Sequence, residues 1–169
     1  MMNSIETERL EFIPMTKEAI KTAILGEKEL RDFLGVNIVY GLIEPIIRER
    51  VLPIRLNLLN ENPSASKWYG FVVEKTSKTV IGMMGFKTSP NGDGLIEIGY
   101  GIHTQFQGNG YANEMVQGLI DWAFQQPDVK GITATNINKD NYGSIKIVEK
   151  VGMTLIQENK NTLDYIVYK

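Results

Sequence analysis

The spacing of apolar residues along this chain is largely helical at first, becomes alternating after about residue 68, and then mixes the two. The run 5–13 (IETERLEFI) reads as a strand with Leu10 and Phe12 on one face. Thr16 is placed to N-cap a helix reaching about Leu25, and 27–34 form a second helical piece. Pro45 suits the first turn of a third helix, along which Ile47, Val51, Ile54 and Leu58 recur at helical spacing. Pro53 falls inside that pattern and has no N–H to donate, so a kink or break is expected there. Asn60 to Ser66 reads as a loop.

Strand-like runs then take over. Residues 68–75 and 79–87 flank the turn Thr76-Ser77-Lys78, and the turn-rich SPNGDG (89–94) leads into a strand at 95–103, LIEIGYGIH. These three runs predict an antiparallel meander. After the loop QFQGNG a helix runs through Gln126, with Ala112, Val116, Leu119 and Ala123 on its buried face and Pro127 stopping it. A strand at 131–137 (GITATNI) follows. Strand, helix and strand in succession predict a right-handed crossover and parallel pairing. A shorter helix over about 142–151 has Gly152 placed as its C′ residue. Residues 153–158 and 163–168 close the chain as a hairpin. No repeat or linker interrupts, so 1–169 is read as one domain.

The loop before the long helix carries the candidate chemistry. Gln105-x-x-Gly108-x-Gly110 lies between a strand and a helix. A helix N-terminus offers unpaired N–H groups and partial positive charge to phosphate oxygens, and glycines let the backbone come close. The N–H groups from Gln107 to Ala112 are the expected donors. A P-loop would need Gly-Lys-Ser or Gly-Lys-Thr where this chain has GNGYAN. A dinucleotide fingerprint, and with it a nicotinamide oxidoreductase, would need a third glycine where Asn113 stands. It would also need an acid at the next strand's end, where the chain reads Asn136-Ile137-Asn138.

Composition narrows the classes further. The chain has 169 residues, 43% hydrophobic and 22% charged, which suits one ordinary globular domain. A net charge of −2 gives no general pull toward nucleic acid or membrane, so neither is expected as a partner. Cysteine is absent, which excludes disulfides, cysteine nucleophiles and cysteine-ligated zinc, and suits a cytoplasmic protein. The single histidine, His103, excludes histidine clusters, and no close carboxylate cluster suggests a metal. The opening MMNSIETERLEF carries acids and no apolar run, so it is not read as a signal peptide.

In TERL (7–10), VIGMMGF (80–86), IEIGYGIHTQFQGNGYANE (96–114) and NYGSIKIVEKVGM (141–153), taken in order, the sequence resembles the GNAT acetyltransferase superfamily, nearest its ribosomal-protein N-terminal (Rim-type) branch. The resemblance implies an α/β (mixed) three-layer fold, whose twisted, mostly antiparallel central sheet is flanked by helices. One parallel pair, 95–103 with 131–137, splays apart there. A bulge in the first of these, to which Gly99 and Gly101 are suited, opens a slot for the pantetheine arm of acetyl-CoA. It further implies that Gly101, Ile102, Gln107, Gly108, Asn109, Gly110, Tyr111, Ala112, Asn141 and Ser144 bind that cofactor. A homodimer is expected by family analogy alone.

The implied reaction moves an acetyl group directly onto a primary amine, of a small molecule or of a protein N-terminus. The alternative is a non-catalytic acyl-CoA sensor of the same fold. Transfer needs a deprotonated amine, a donor for the oxyanion near Gly101 or Ile102, and a proton for the leaving thiolate. Glu97 is the expected base; its other reading is a solvated or ion-paired strand carboxylate. Ser144 either donates to the thiolate or caps its helix. Relatives carry a tyrosine acid where this chain has Val148, and Tyr142 lies nearby. His103 is read as packing near the loop, Glu114 as an acid favourable at a helix start, and Met83-Met84 as strand packing. The acceptor is expected to be set by 16–66 and the final hairpin. There Glu27, Glu29, Asp32, Glu44 and Glu49 stand among Lys28, Arg31, Arg48 and Arg50.

Overall fold

The computed structural model describes residues 4–169, so the reading of the opening residues as no leader rests in part on 1–3, outside that range. The expected strand over 5–13 is two strands, β1 (Ile5–Glu6) and β2 (Leu10–Pro14), antiparallel with Ile5 opposite Phe12. Thr7-Glu8-Arg9 turns between them: the Thr7 N–H donates to Leu10 O at 2.9 Å. The Thr7 hydroxyl and the Arg9 N–H are both drawn to the Glu114 carboxylate. Thr16 caps α1 (Lys17–Leu25), its hydroxyl accepting from Ala19 N at 3.1 Å. α2 (Glu27–Leu34) ends on left-handed Gly35.

Pro53 does not break the third helix. A π-helical turn, Ile47–Val51, precedes α3 (Leu52–Glu61), and the Leu52 N–H reaches back five residues to Ile47 O. The wider turn leaves Pro53 in the first turn of α3, where a missing N–H costs least.

The sheet runs β1-β2-β4-β5-β6-β7-β9-β8. Its strands are β3 (Asn37–Ile38), β4 (Tyr69–Glu74), β5 (Thr79–Phe86), β6 (Leu95–Ile102), β7 (Gly131–Asn138), β8 (Thr154–Glu158) and β9 (Thr162–Tyr168). β3, which the pattern did not announce, pairs in parallel with the start of β5. The meander β4-β5-β6 is antiparallel, and β7 joins β6 in parallel after the crossover helix α4 (Tyr111–Ala123). α5 (Tyr142–Lys150) ends as expected, with Gly152 at φ +86° and the Met153 N–H returning to Val148 O at 2.9 Å.

The parallel pair opens after three registered residues, Leu95 with Gly131, Ile96 with Ile132 and Glu97 with Thr133. The expected bulge is not in β6, whose register with β5 is unbroken from Ile98 to Ile102. It lies in β7, between Ala134 and Ile137, where Asn136 adopts φ +56°. The Asp164 carboxylate steadies that conformation by accepting the Asn136 N–H at 2.8 Å. The departing strand therefore carries the irregularity, and β6 stays straight against β5.

One apolar core fills the space between the layers. Leu10, Phe12, Ile20, Phe71, Phe86 and Leu119 are buried there, each worth about 1.5–3 kcal/mol of burial. Trp68, Phe86 and Trp122 stack edge and face in it, with centroids 5.2–6.5 Å apart. α4 buries Val116, Leu119 and Ala123 as its pattern predicts, while Ala112 is half-buried beside a cleft. Among the described residues no helix is long and apolar enough to cross a membrane.

Candidate active site

The splay of β6 from β7 opens a cleft of about 490 Å³ that ends on the loop before α4. Gly108 and Gly110 take φ +78° and +79°, a region closed to most side chains, and so fold the loop back on the helix start. Six successive N–H groups, Gly108 to Asn113, have no acceptor among the described residues. Glu114 is the first residue of this stretch whose N–H is used, donating to Gly110 O at 3.1 Å. The Gln107 N–H is spent on Thr104 O and its side chain on Ile102 O, so the donor run starts one residue later than expected. The Asn109 side chain bonds Phe106 O and Gln107 O, which makes it a brace of the loop and not part of the cleft wall.

The TERL segment holds this loop from outside. The Glu114 carboxylate accepts from the Thr7 hydroxyl at 2.6 Å, Arg9 N at 2.8 Å and Arg9 Nε at 2.7 Å. Arg9 also donates to Asn109 O at 3.0 Å and lies 4.5 Å over the Tyr111 ring. Burial pushes the Glu114 carboxyl up, but these donors outweigh it and hold it below the usual carboxylate range. Glu114 is thus a buttress between the first hairpin and the helix start, beyond its favourable charge there.

The cleft wall is built by β6 and α5. The bonds Lys87 N–H to Glu97 O and His103 N–H to Ile81 O fix the alternation along β6. Odd residues, Gly101 included, turn their backbone groups to β5, while Tyr100 and Ile102, beyond the last pairing with β7, turn theirs to the edge that β7 has left. Gly101 therefore contributes open space, since a Cβ there would meet nothing within 4 Å, and Ile102 contributes its N–H, its O being held by the Gln107 side chain. Asn141 caps α5 by accepting from Ser144 N at 3.1 Å. That frees the Ser144 hydroxyl, which lies 2.6 Å from the Tyr100 hydroxyl. Burial pushes the Tyr100 phenol up, more than the Ser144 contact pulls it down.

Glu97 sits where the strands part. Its carboxylate is ion-paired with Lys87 and takes the Thr135 hydroxyl, and it lines neither the cleft nor the cavity beyond β6. Tyr142 is exposed and Val148 buried, so α5 offers no phenol to the cleft. His103 Nδ1 accepts from Gln105 N at 3.3 Å at the start of the loop.

Across β6 lies a second cavity of about 550 Å³, walled by the π turn and α3 on one side and by β4, β5 and β6 on the other. Tyr100 and Gly101 line both cavities. The final hairpin lines neither.

Comparison with known proteins places this arrangement. The model of the acetyltransferase (GNAT) domain family matches residues 9–154. The chain belongs to this family. It is 38% identical over 84 residues to an uncharacterized N-acetyltransferase of Bacillus subtilis (strain 168), a match covering 50% of this chain and 49% of that one. The chain thus spans about half the length of the curated relatives it matches. It is similar in fold to a ribosomal-protein-S5-alanine acetyltransferase from Vibrio fischeri, with a TM-score of 0.70 at 19% identity, over 98% of this chain and 96% of that one. The microcin C7 self-immunity acetyltransferase, solved with acetyl-CoA and AMP, gives a TM-score of 0.66 at 16% identity, over 98% of this chain and 94% of that one.

For a GNAT domain, the residues that fit the cofactor are those with open N–H groups and open space, and this cleft has both at Gly108 and around it. Sequence reasoning missed Tyr100, the Thr7–Arg9–Glu114 brace, and Arg55, which lines the second cavity with its guanidinium 3.9 Å over the Tyr69 ring. A signal for Tyr100 was present: it is flanked by Gly99 and Gly101 on the splayed strand, where a large side chain between two absent ones stands out. Arg55 gave no signal, being one of several charges on a helix.

Proposed function

We propose that this chain acetylates a primary amine directly, with acetyl-CoA as donor. The observation that supports this best is the shared wall: Tyr100 and Gly101 separate a cleft with unpaired N–H groups from a cavity large enough for an acceptor. Acetyl-CoA supplies an activated thioester whose sulfur leaves readily. The Gly108–Asn113 N–H groups bind the diphosphate, where the helix start adds favourable charge. The free groups of β6, at Tyr100 and at the Ile102 N–H, pair with amides of the cofactor arm as a strand would, and the Ile102 or Tyr100 N–H is the donor for the oxyanion. Tyr100, kept protonated by burial and steadied by Ser144, gives the thiolate its proton in place of the phenol missing at Val148, and its reprotonation is met by the proton that the attacking amine nitrogen sheds as the amide forms. Glu97 acts through Lys87, which lines the acceptor cavity, by holding that ammonium in place.

The acceptor is a small-molecule amine or a protein N-terminus, the latter in keeping with the likeness to a ribosomal-protein-S5-alanine acetyltransferase. Release of free thiol from acetyl-CoA on a panel of amines and N-terminal peptides tests the proposal. Coenzyme A that binds by calorimetry, with no thiol released on any amine, would mark a sensor and sink it.

A further inference from the structure

The acceptor itself can be narrowed, on the transfer reading above, from one side chain of the second cavity. Arg55 lines that cavity, and its Nε is buried with no hydrogen-bond partner. Among the described residues no carboxylate stands within ion-pair distance of its guanidinium. The group instead lies 3.9 Å over the Tyr69 ring, which supports a cation but does not neutralise it. Drawing part of this guanidinium out of water without an anion beside it is costly, and an anion entering the cavity would relieve that cost.

The other ionisable groups of the wall leave this charge unanswered. Lys87 is paired with Glu97. Glu44 is exposed. Of the other acids that composition suggested for a cationic substrate, Glu29 and Glu49 do not line the wall, and two are engaged elsewhere. Glu27 accepts the Gly41 and Ile43 N–H groups, and Asp32 pairs with Lys28. His103, Tyr69 and Tyr100 also line the wall, and the rest of it is glycine or apolar, through Leu42, Ile47, Val51, Ile54, Leu58 and Met83. A planar guanidinium fork matches a carboxylate or a phosphate, and a single unpaired guanidinium in a largely apolar wall suits the singly charged carboxylate.

We infer that Arg55 binds a carboxylate carried by the acceptor, so that the substrate is a small amino-carboxylate with an apolar body. Its carboxylate rests on Arg55, its apolar body on the α3 side of the wall, and its amine reaches the Tyr100–Gly101 partition. The site is thereby selective against plain amines and against peptides, whose N-terminal residue has lost its free carboxylate.

The test compares leucine, leucinamide, 3-methylbutylamine and a leucine-led tripeptide amide as acceptors, followed by all twenty amino acids. Wild type, Arg55→Ala and Arg55→Lys are run side by side. The expected result is a kcat/KM for leucine about 10- to 100-fold above that for leucinamide, a preference lost in Arg55→Ala mainly through KM and partly kept in Arg55→Lys. Leucine titrated into the coenzyme A complex gives heat with wild type and none with Arg55→Ala. Unchanged coenzyme A affinity shows that a variant is folded, and should Arg55→Ala not fold, the wild-type panel and Arg55→Lys still decide. Equal turnover of leucine and leucinamide, better turnover of the tripeptide amide, or a preference that survives in Arg55→Ala overturns the inference. So does coenzyme A binding with no amino-carboxylate acetylated. Failure to bind coenzyme A at all overturns the transfer reading instead.

Discussion

Replacing Gly108 by alanine separates backbone strain from ligand binding, because the fold supplies a matched control. Gly108 has φ +78° and Gly35 has φ +70°, and an added Cβ at either meets no atom within 4 Å. Both substitutions force a left-handed residue with no clash to relieve, which costs about 1–2 kcal/mol. For a chain of 169 residues that is a fall in Tm of about 2–8 °C. At Gly35 the methyl projects beside the end of α2, far in sequence from the loop; at Gly108 it enters the cleft wall where six N–H groups stand open. Backing a diphosphate off by a methyl group forfeits one or two charge-assisted hydrogen bonds, about 1.5–3 kcal/mol each. Coenzyme A affinity should therefore fall by about 10- to 100-fold or more in Gly108→Ala alone. Thermal melts and isothermal titration with coenzyme A read the two effects separately. Gly108→Ala protein that melts like Gly35→Ala yet binds coenzyme A like wild type would refute the loop as the diphosphate site.

Three further outcomes follow from the same geometry. Tyr100→Phe should lower kcat by about 10²-fold or more with coenzyme A affinity unchanged; because burial raises the Tyr100 phenol, wild-type activity should be lost on the alkaline side only above the ordinary tyrosine range. Glu97→Gln should keep kcat within about tenfold, whereas removal of a true general base costs about 10²–10⁴, so a loss of that size would restore Glu97 as the base. Glu114 has a folded pKa held below its unfolded one, so its contribution to stability is complete above the unfolded value and lost as pH falls through the folded one. The stability gap between wild type and Glu114→Gln in urea should accordingly be steady near neutrality and narrow below about pH 4; a gap that widens in acid would contradict the sign.

Local chemistry explains which parts of this fold could be read in advance. Thr16, Gly152 and the glycines of the loop act within a few residues of where they stand, so their consequences were visible in the sequence. The opening strand was not, because the turn at Thr7–Arg9 is held partly by a carboxylate more than a hundred residues away. The resemblance places the bulge in the glycine-rich strand, yet β5 holds that strand in register. Asn136 pays the left-handed conformation instead, with a partner on β9. Pro53 was expected to interrupt its helix, but one π turn ahead of it absorbed the defect.

The same distinction runs through the site. The diphosphate loop is local, and its residues stand together whether or not the rest of the fold is known. Tyr100 with Ser144, and Arg55 with its unpaired guanidinium, are tertiary facts: one pair is joined across the opening of β6, the other charge is defined by what fails to reach it. β6 makes the first possible because beyond Glu97 it is bonded to a neighbouring strand along one edge only. Were β7 to follow it to Ile102, the free amides would be consumed, the cleft closed, and the Tyr100 hydroxyl parted from Ser144. The three-residue register of that pair is therefore what the chemistry depends on, and Thr135, which joins β7 to the Glu97 carboxylate at the branch point, marks where the strands part. On that argument a Thr135→Val chain should stay folded by circular dichroism yet lose coenzyme A affinity, and a variant with unchanged affinity would show that the β7 bulge alone sets the splay.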